Sequence, residues 1–224
     1  MSNPIAAFQK RYMSYGSWLS EWLYGFIMVA VVTGMLNGFS GIDPQLYRWE
    51  LTIWLVVVTF GVNITWGLID GLTVIYGGLT EKADQEKLIG RLKKDRNNPE
   101  LRGKLWDIIG SDYTSDETKE MYIDRIIDEG PEHKKRYTLT KEDRKVLLAT
   151  ASCDILAVVP VILPFIVLGF VPIALTLSRL IAAIAIGLIV YRFAEHTGRR
   201  KWVAAGIFFV LTIIMMVVTF SFGW

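Results

Sequence analysis

Four ionisable side chains stand inside stretches that are otherwise apolar: Glu21, Asp70, Asp154 and Arg179. At the centre of a membrane helix such a group costs roughly 2.5 to 3.5 kcal/mol, so it normally faces a polar interior, a partner or a ligand. At about 1.5 Å per residue, Asp70 and Asp154 lie roughly 12 Å from the nearest charged flank, and Glu21 lies about one turn in. Three carboxylates at similar depth suit a cation, and Arg179, about 10 Å from the opposite end of its span, is the one intramembrane cation. Glu21, Met28 and Met35 recur at intervals of seven, which aligns a carboxylate and two thioethers along one helix edge. Borderline divalent ions such as Fe²⁺ or Mn²⁺ can use that set, although thioethers alone favour softer ions. Asn63, Gly67, Asp70, Thr73 and Gly77 form a polar, small-residue stripe on the next apolar helix, which marks a packed face. Each feature also has a structural reading: Asp70 with Arg179 as an ion pair joining two helices, Glu21 reaching to the interface, and the methionines filling gaps.

The elements that must position these residues follow from hydropathy. The chain has 224 residues, 52% of them hydrophobic and 21% charged, and 32 of the 46 charged side chains fall between Glu81 and Lys145. About 20 mostly apolar residues cross a bilayer. Five segments qualify: residues 18–39, 51–77, 146–167, 173–193 and 202–222. The expected fold is therefore all-α, a polytopic membrane protein with five transmembrane helices and a small cytoplasmic helical domain between helices 2 and 3. Its divisions are residues 1–79, 80–145 and 146–224. The first span is too long for a cleaved signal and is expected to remain as an anchor. Lys10 and Arg11, the 80–145 segment and Arg199-Arg200-Lys201 all fall on one side of a five-pass topology. By the positive-inside rule that side is cytoplasmic, which puts the N-terminus inside and the C-terminus on the opposite side.

Within 80–145, Asn98-Pro99-Glu100 reads as a helix start and Thr114 with Glu117 has capping-box spacing. Gly130-Pro131 stops the helix that follows, and Thr140 with Asp143 begins another that runs into span three. Three short helices plus that extension are expected. Glu117, Glu120, Asp124 and Asp128 make one face of the middle helix acidic for three turns, a cytoplasmic metal-gathering surface unless neighbouring basic residues compensate it. Glu129, Glu132 and His133 form a weaker cluster beside it.

The balance of 16 basic and 16 acidic residues in this segment excludes a basic nucleic-acid binder, and one cysteine excludes a disulfide framework. No Ser-His-Asp set, zinc-type His and Cys cluster or glycine-rich phosphate loop is visible, so an enzyme is not expected. No firm cofactor is implied; a divalent metal ion enters as substrate.

The two-span, charged-domain, three-span layout resembles the vacuolar iron transporter family. The resemblance extends to Glu21-Trp-Leu-Tyr-Gly25, to Asp70-Gly71 within Gly67-Leu-Ile-Asp-Gly71, and to the proline segment from Asp154 to Phe165. Ser178-Arg179 and Gly198-Arg-Arg-Lys-Trp202 look like the last two helices of the family's more divergent bacterial and archaeal members. Aligned on Tyr24-Gly25, Met28 occupies the place of the family's first-helix aspartate, and Asp-Gly stands in helix two instead. The resemblance implies a homodimer that moves Fe²⁺, Mn²⁺ or a similar ion out of the cytoplasm, using transmembrane carboxylate and methionine with glutamates of the cytoplasmic domain. The alternative is a non-transporting membrane adaptor whose cytoplasmic helices bind a partner.

Overall fold

The computed structural model describes residues 3–35, 48–109, 115–131 and 136–221, with the side chains of Met35, Asp116 and residues 219–221 excepted. Within these residues the chain is all-helical: α1 (Pro4–Tyr12), α2 (Tyr15–Met35), α3 (Arg48–Leu92), α4 (Pro99–Ile109), α5 (Asp116–Glu129), α6 (Lys141–Leu168), α7 (Pro172–His196) and α8 (Lys201–Ser221). It divides into two compact units, Met1–Leu72 with Glu142–Trp224, and Thr73–Lys141.

Four helices are long and apolar enough to cross a membrane: α3, α6, α7, and α8 as far as Val218. Their outward surfaces are apolar. Ile53, Trp54 and Val57 of α3, Leu163 and Val167 of α6, Leu188 of α7 and Trp202, Val210 and Val217 of α8 are all more than half exposed. A face of that kind is stable in hydrocarbon and not in water. The expected first span, 18–39, corresponds to α2 and runs past its described residues.

The core of the first unit is built where α2, α6, α7 and α8 meet, from Phe26, Val29 and Ala30, Val158 and Val161, Ala182 and Ile186, and Met216. Small residues set the approach of the helices. Ala174, Ser178 and Ala182, one stripe on α7, are fully buried. The α3 stripe is buried at Asn63 and Gly67 and half-buried at Asp70, but Thr73 and Gly77 are exposed, so the packed face expected from 63 to 77 covers only its first part. Helix α6 runs unbroken through Pro160 and Pro164.

Two differences from expectation concern helix ends. The segment after span two does not begin a new helix: α3 continues as one 45-residue helix to Leu92. Gly77 and Gly78 keep helical backbone, positive φ being confined to Gly169 and Gly198 among the described residues, and no proline intervenes. The second unit therefore has two short helices, α4 and α5, rather than three. The α5 cap is Ser115, whose Oγ accepts from the Thr118 N–H at 3.4 Å, while Thr114 lies outside the described residues. Asn98 caps α4 through Oδ1 and the Leu101 N–H, and α5 ends before Gly130 as its sequence signals. Helix α1 was not anticipated, although its signals are ordinary ones: Asn3 Oδ1 accepts from the Ile5 N–H and Pro4 occupies the first turn.

Candidate functional site: a buried carboxylate cluster

The first unit brings three acids from three helices together. Glu21 of α2, Asp70 of α3 and Asp154 of α6 each place one carboxylate oxygen within 4.8 Å of the other two. Glu21 is 6% exposed, Asp154 is fully buried and Asp70 is half-buried.

The geometry follows from two glycines. A Cβ on Gly25 would stand 2.9 Å from the Asp154 Cα and 3.0 Å from its Oδ1. On Gly67 it would stand 2.9 Å from Asp154 Oδ2 and 2.8 Å from the Ala151 Cα. Helix α6 thus lies against bare backbone on both sides, with the Asp154 carboxylate between α2 and α3. Glu21 is four residues before Gly25 and Asp70 three after Gly67, so each projects from the same helix face as its glycine. The close approach of the backbones is what turns three acids on separate helices into one cluster. Gly71 repeats the device one turn on, against Leu147.

Among the described residues, Glu21 Oε2, Asp70 Oδ2 and both oxygens of Asp154 have no hydrogen-bond partner. Two full charges at this separation repel by about 3 kcal/mol at an effective dielectric constant of about 20, so protons or a cation must share the site. Carboxylate oxygens in this number are a ligand set for a hard or borderline divalent ion. Cys153, next to Asp154, instead directs its Sγ to the Ala149 carbonyl at 3.5 Å.

The other expected participants lie elsewhere. Arg179 lines a recess of about 330 Å³ with Thr176 and Leu180 of α7 and Ile213, Met216 and Val217 of α8. By helical rise it stands roughly 10 Å from the α6–α7 turn, against roughly 20 Å for Asp154. Asn63 is fully buried on the Asp70 face of α3, two turns away; its Nδ2 donates to the Thr59 carbonyl at 2.9 Å, and its Oδ1 finds no partner among the described residues. Met28 is half-buried on α2, about 10 Å along the axis from Glu21. The side chain of Met35 lies outside the described residues, as do Glu132 and His133.

A residue group that composition did not single out secures the neighbourhood. Gln9 of α1 is fully buried; its Nε2 donates to Ser152 Oγ of α6 and its Oε1 accepts from Trp18 Nε1 of α2, both at 2.9 Å. A glutamine in an amphipathic first helix gives no signal of this in sequence.

In the second unit the acidic face of α5 is compensated. Arg102 of α4 donates to Glu120 at 2.5 Å and to Asp124 at 2.9 Å, while Arg96 donates to both oxygens of Asp128 at 2.6 and 2.9 Å. The hydrogen bond from Arg102 holds Asp124 below the usual carboxylate range, and that from Arg96 does the same for Asp128. Glu117 is exposed at the helix start. Ile89, Leu92, Leu105, Ile123 and Ile127 form the apolar core beneath this network.

No protein-family model matches the chain, and a search of curated proteins finds no match.

Proposed function

We propose that this protein is an integral membrane transporter for a divalent metal ion of the Fe²⁺ or Mn²⁺ kind, a divergent relative of the vacuolar iron transporters. One observation carries the reading: Glu21, Asp70 and Asp154 converge from three apolar helices with oxygens that find no hydrogen-bond partner among the described residues. Natural chains tolerate uncompensated buried acids chiefly where a ligand or proton completes them.

On this reading α2 is a fifth crossing helix. The N-terminus, the unit around residues 80–145 and the Arg199–Lys201 turn face the cytoplasm, and export from that side is the direction. Glu21, nearest the charged flank, admits the ion; Asp70 and Asp154 hold it. Because carboxylate ligands bind metal only when deprotonated, protons compete with the ion for the same oxygens. Two such chains form the working dimer.

The test is bound-metal analysis of purified protein beside Asp70→Asn and Asp154→Asn, with flux of Fe²⁺, Mn²⁺, Co²⁺ and Zn²⁺ in reconstituted vesicles. The wild type binds at least one of these ions and moves it, and both variants lose binding while keeping the wild-type elution profile. Flux equal to that of empty vesicles for all four ions ends the proposal.

A further inference from the structure

A second feature of the membrane unit lies away from the carboxylates. Helices α1, α2, α7 and α8 enclose a recess of about 720 Å³, within the size range of ligand sites. Its mouth carries Lys10 and Arg192, and no acidic side chain lines it among the described residues. Aromatic rings frame it: Tyr15, Trp18, Trp22, Tyr191 and Trp202. The Lys10 ammonium lies 4.2 Å from the centroid of the Trp18 ring, which also lines the recess. Leu19, Phe26, Leu188 and Ile189 make the inner wall apolar.

The polarity is graded along the helix axes. Lys10 precedes α2, and Phe26 lies eight residues beyond Trp18, so the recess descends roughly 12 Å from a basic rim into hydrocarbon depth. Tryptophan and tyrosine at such a level mark the headgroup boundary of a bilayer. Arg192 shares Glu195 with Lys201, at 2.8 and 3.2 Å. One carboxylate between two cations leaves the rim positive. A compact soluble anion would leave the apolar wall unmatched, and a neutral lipid would leave the cations unmatched.

We infer that this recess holds an anionic phospholipid, its phosphate between Lys10 and Arg192 and an acyl chain along Leu19, Phe26 and Leu188. The site is separate from the carboxylate cluster and needs only that these helices lie in a bilayer. Each basic group at the rim contributes through charge, and losing one weakens retention about fivefold.

The experiment reconstitutes the full chain into bilayers of equal phosphatidylcholine and phosphatidylglycerol, re-extracts it in detergent, and counts retained lipid by native mass spectrometry. Phosphatidylglycerol is retained over phosphatidylcholine by the wild type and by the charge-keeping Lys10→Arg/Arg192→Lys variant. Lys10→Gln/Arg192→Gln loses this enrichment, by about 25-fold if the two charges act independently. Arg199→Gln/Arg200→Gln, which removes two cations outside the recess, keeps it. Asp154→Asn also keeps it, so the lipid site and the metal reading fail separately. Absence of preference in the wild type, equal loss in the Arg199/Arg200 variant, or displacement of the lipid by inorganic phosphate alone would each overturn the assignment.

Discussion

Glu120, Asp124 and Asp128 on α5 share two arginines, whereas Glu21, Asp70 and Asp154 meet no cation among the described ion pairs and hydrogen bonds. The two groups have the same make-up, and the counterions are found in the one exposed to water. There, solvent already screens the charges and a partner is worth little. Inside the membrane unit, where an uncompensated carboxylate costs most, none is supplied among the described residues. That inversion separates a buried cluster with no counterion among the described residues from a surface whose acids are consumed in holding two helices and a turn together. It also makes the α5 face, read alone as a metal-gathering surface, one whose carboxylates are mostly engaged.

The sharpest way to break the comparison is to neutralise one acid of each group. Asp154→Asn is expected to weaken metal binding by more than about 100-fold and to leave the metal-free melting temperature no lower than that of the wild type. Asp124→Asn is expected to leave metal binding within about twofold and to lower the melting temperature slightly, as exposed pairs do. Calorimetric titration and thermal scanning of the same preparations decide it, and opposite signs on either axis would refute the contrast.

The next effect tests what assembles the cluster. Gly67→Ala places a methyl 2.8 Å from the Ala151 Cα, and α3 must shift away from α6 to admit it. Such overpacking costs about 1 to 3 kcal/mol. Metal binding falls with it, although no carboxylate has been touched. Gly77→Ala, where a Cβ meets nothing within 4 Å, is the matched control and is expected to leave metal titration as in the wild type and stability no lower, since alanine favours a helix interior over glycine.

A smaller loss is expected in the second unit. Arg102→Ala removes a guanidinium that is 14% exposed but whose partners are half open to water, so about 1 kcal/mol is the expected scale. The loss should shrink in high salt, which urea unfolding at two ionic strengths measures.

The smallest effect is in pH. Asp124 and Asp128 have their folded pKa values depressed, so their contribution is fully present above the ordinary carboxylate value of about 3.9. It is lost as pH falls through the lower folded values. Acid titration followed by circular dichroism should show a shallow loss of helix stability below about pH 4, absent in the Arg96→Ala/Arg102→Ala variant.

Depth along a membrane helix was readable from residue counting, and it placed Glu21, Asp70 and Asp154 at comparable levels. What counting leaves open is azimuth, which decides whether residues at one level meet. Arg179 illustrates the gap, since counting gave its height but not that it lines a recess against α8. Gly67 was visible within a packing stripe on α3, but that Gly25 of α2 and Gly67 grip one aspartate between them depends on α6, which neither sequence stretch mentions. The acidic periodicity of α5 was plain, yet its partners Arg96 and Arg102 lie 18 to 32 residues away and no local rule links them. The long α3 was missed because hydropathy ends a span where lipid ends, while backbone hydrogen bonding continues until something interrupts it.

The bond from Gln9 to Ser152 has a mechanical corollary. Ser152 is two residues before Asp154 on the same rod, so a load applied to the leading helix reaches the backbone that carries one of the clustered acids, through the Gln9 carboxamide and through the Tyr12 ring against the Lys145 ammonium. A domain fused ahead of Pro4 would pull on the carboxylate cluster through both contacts, and replacing Gln9 alone would slacken that pull without releasing it.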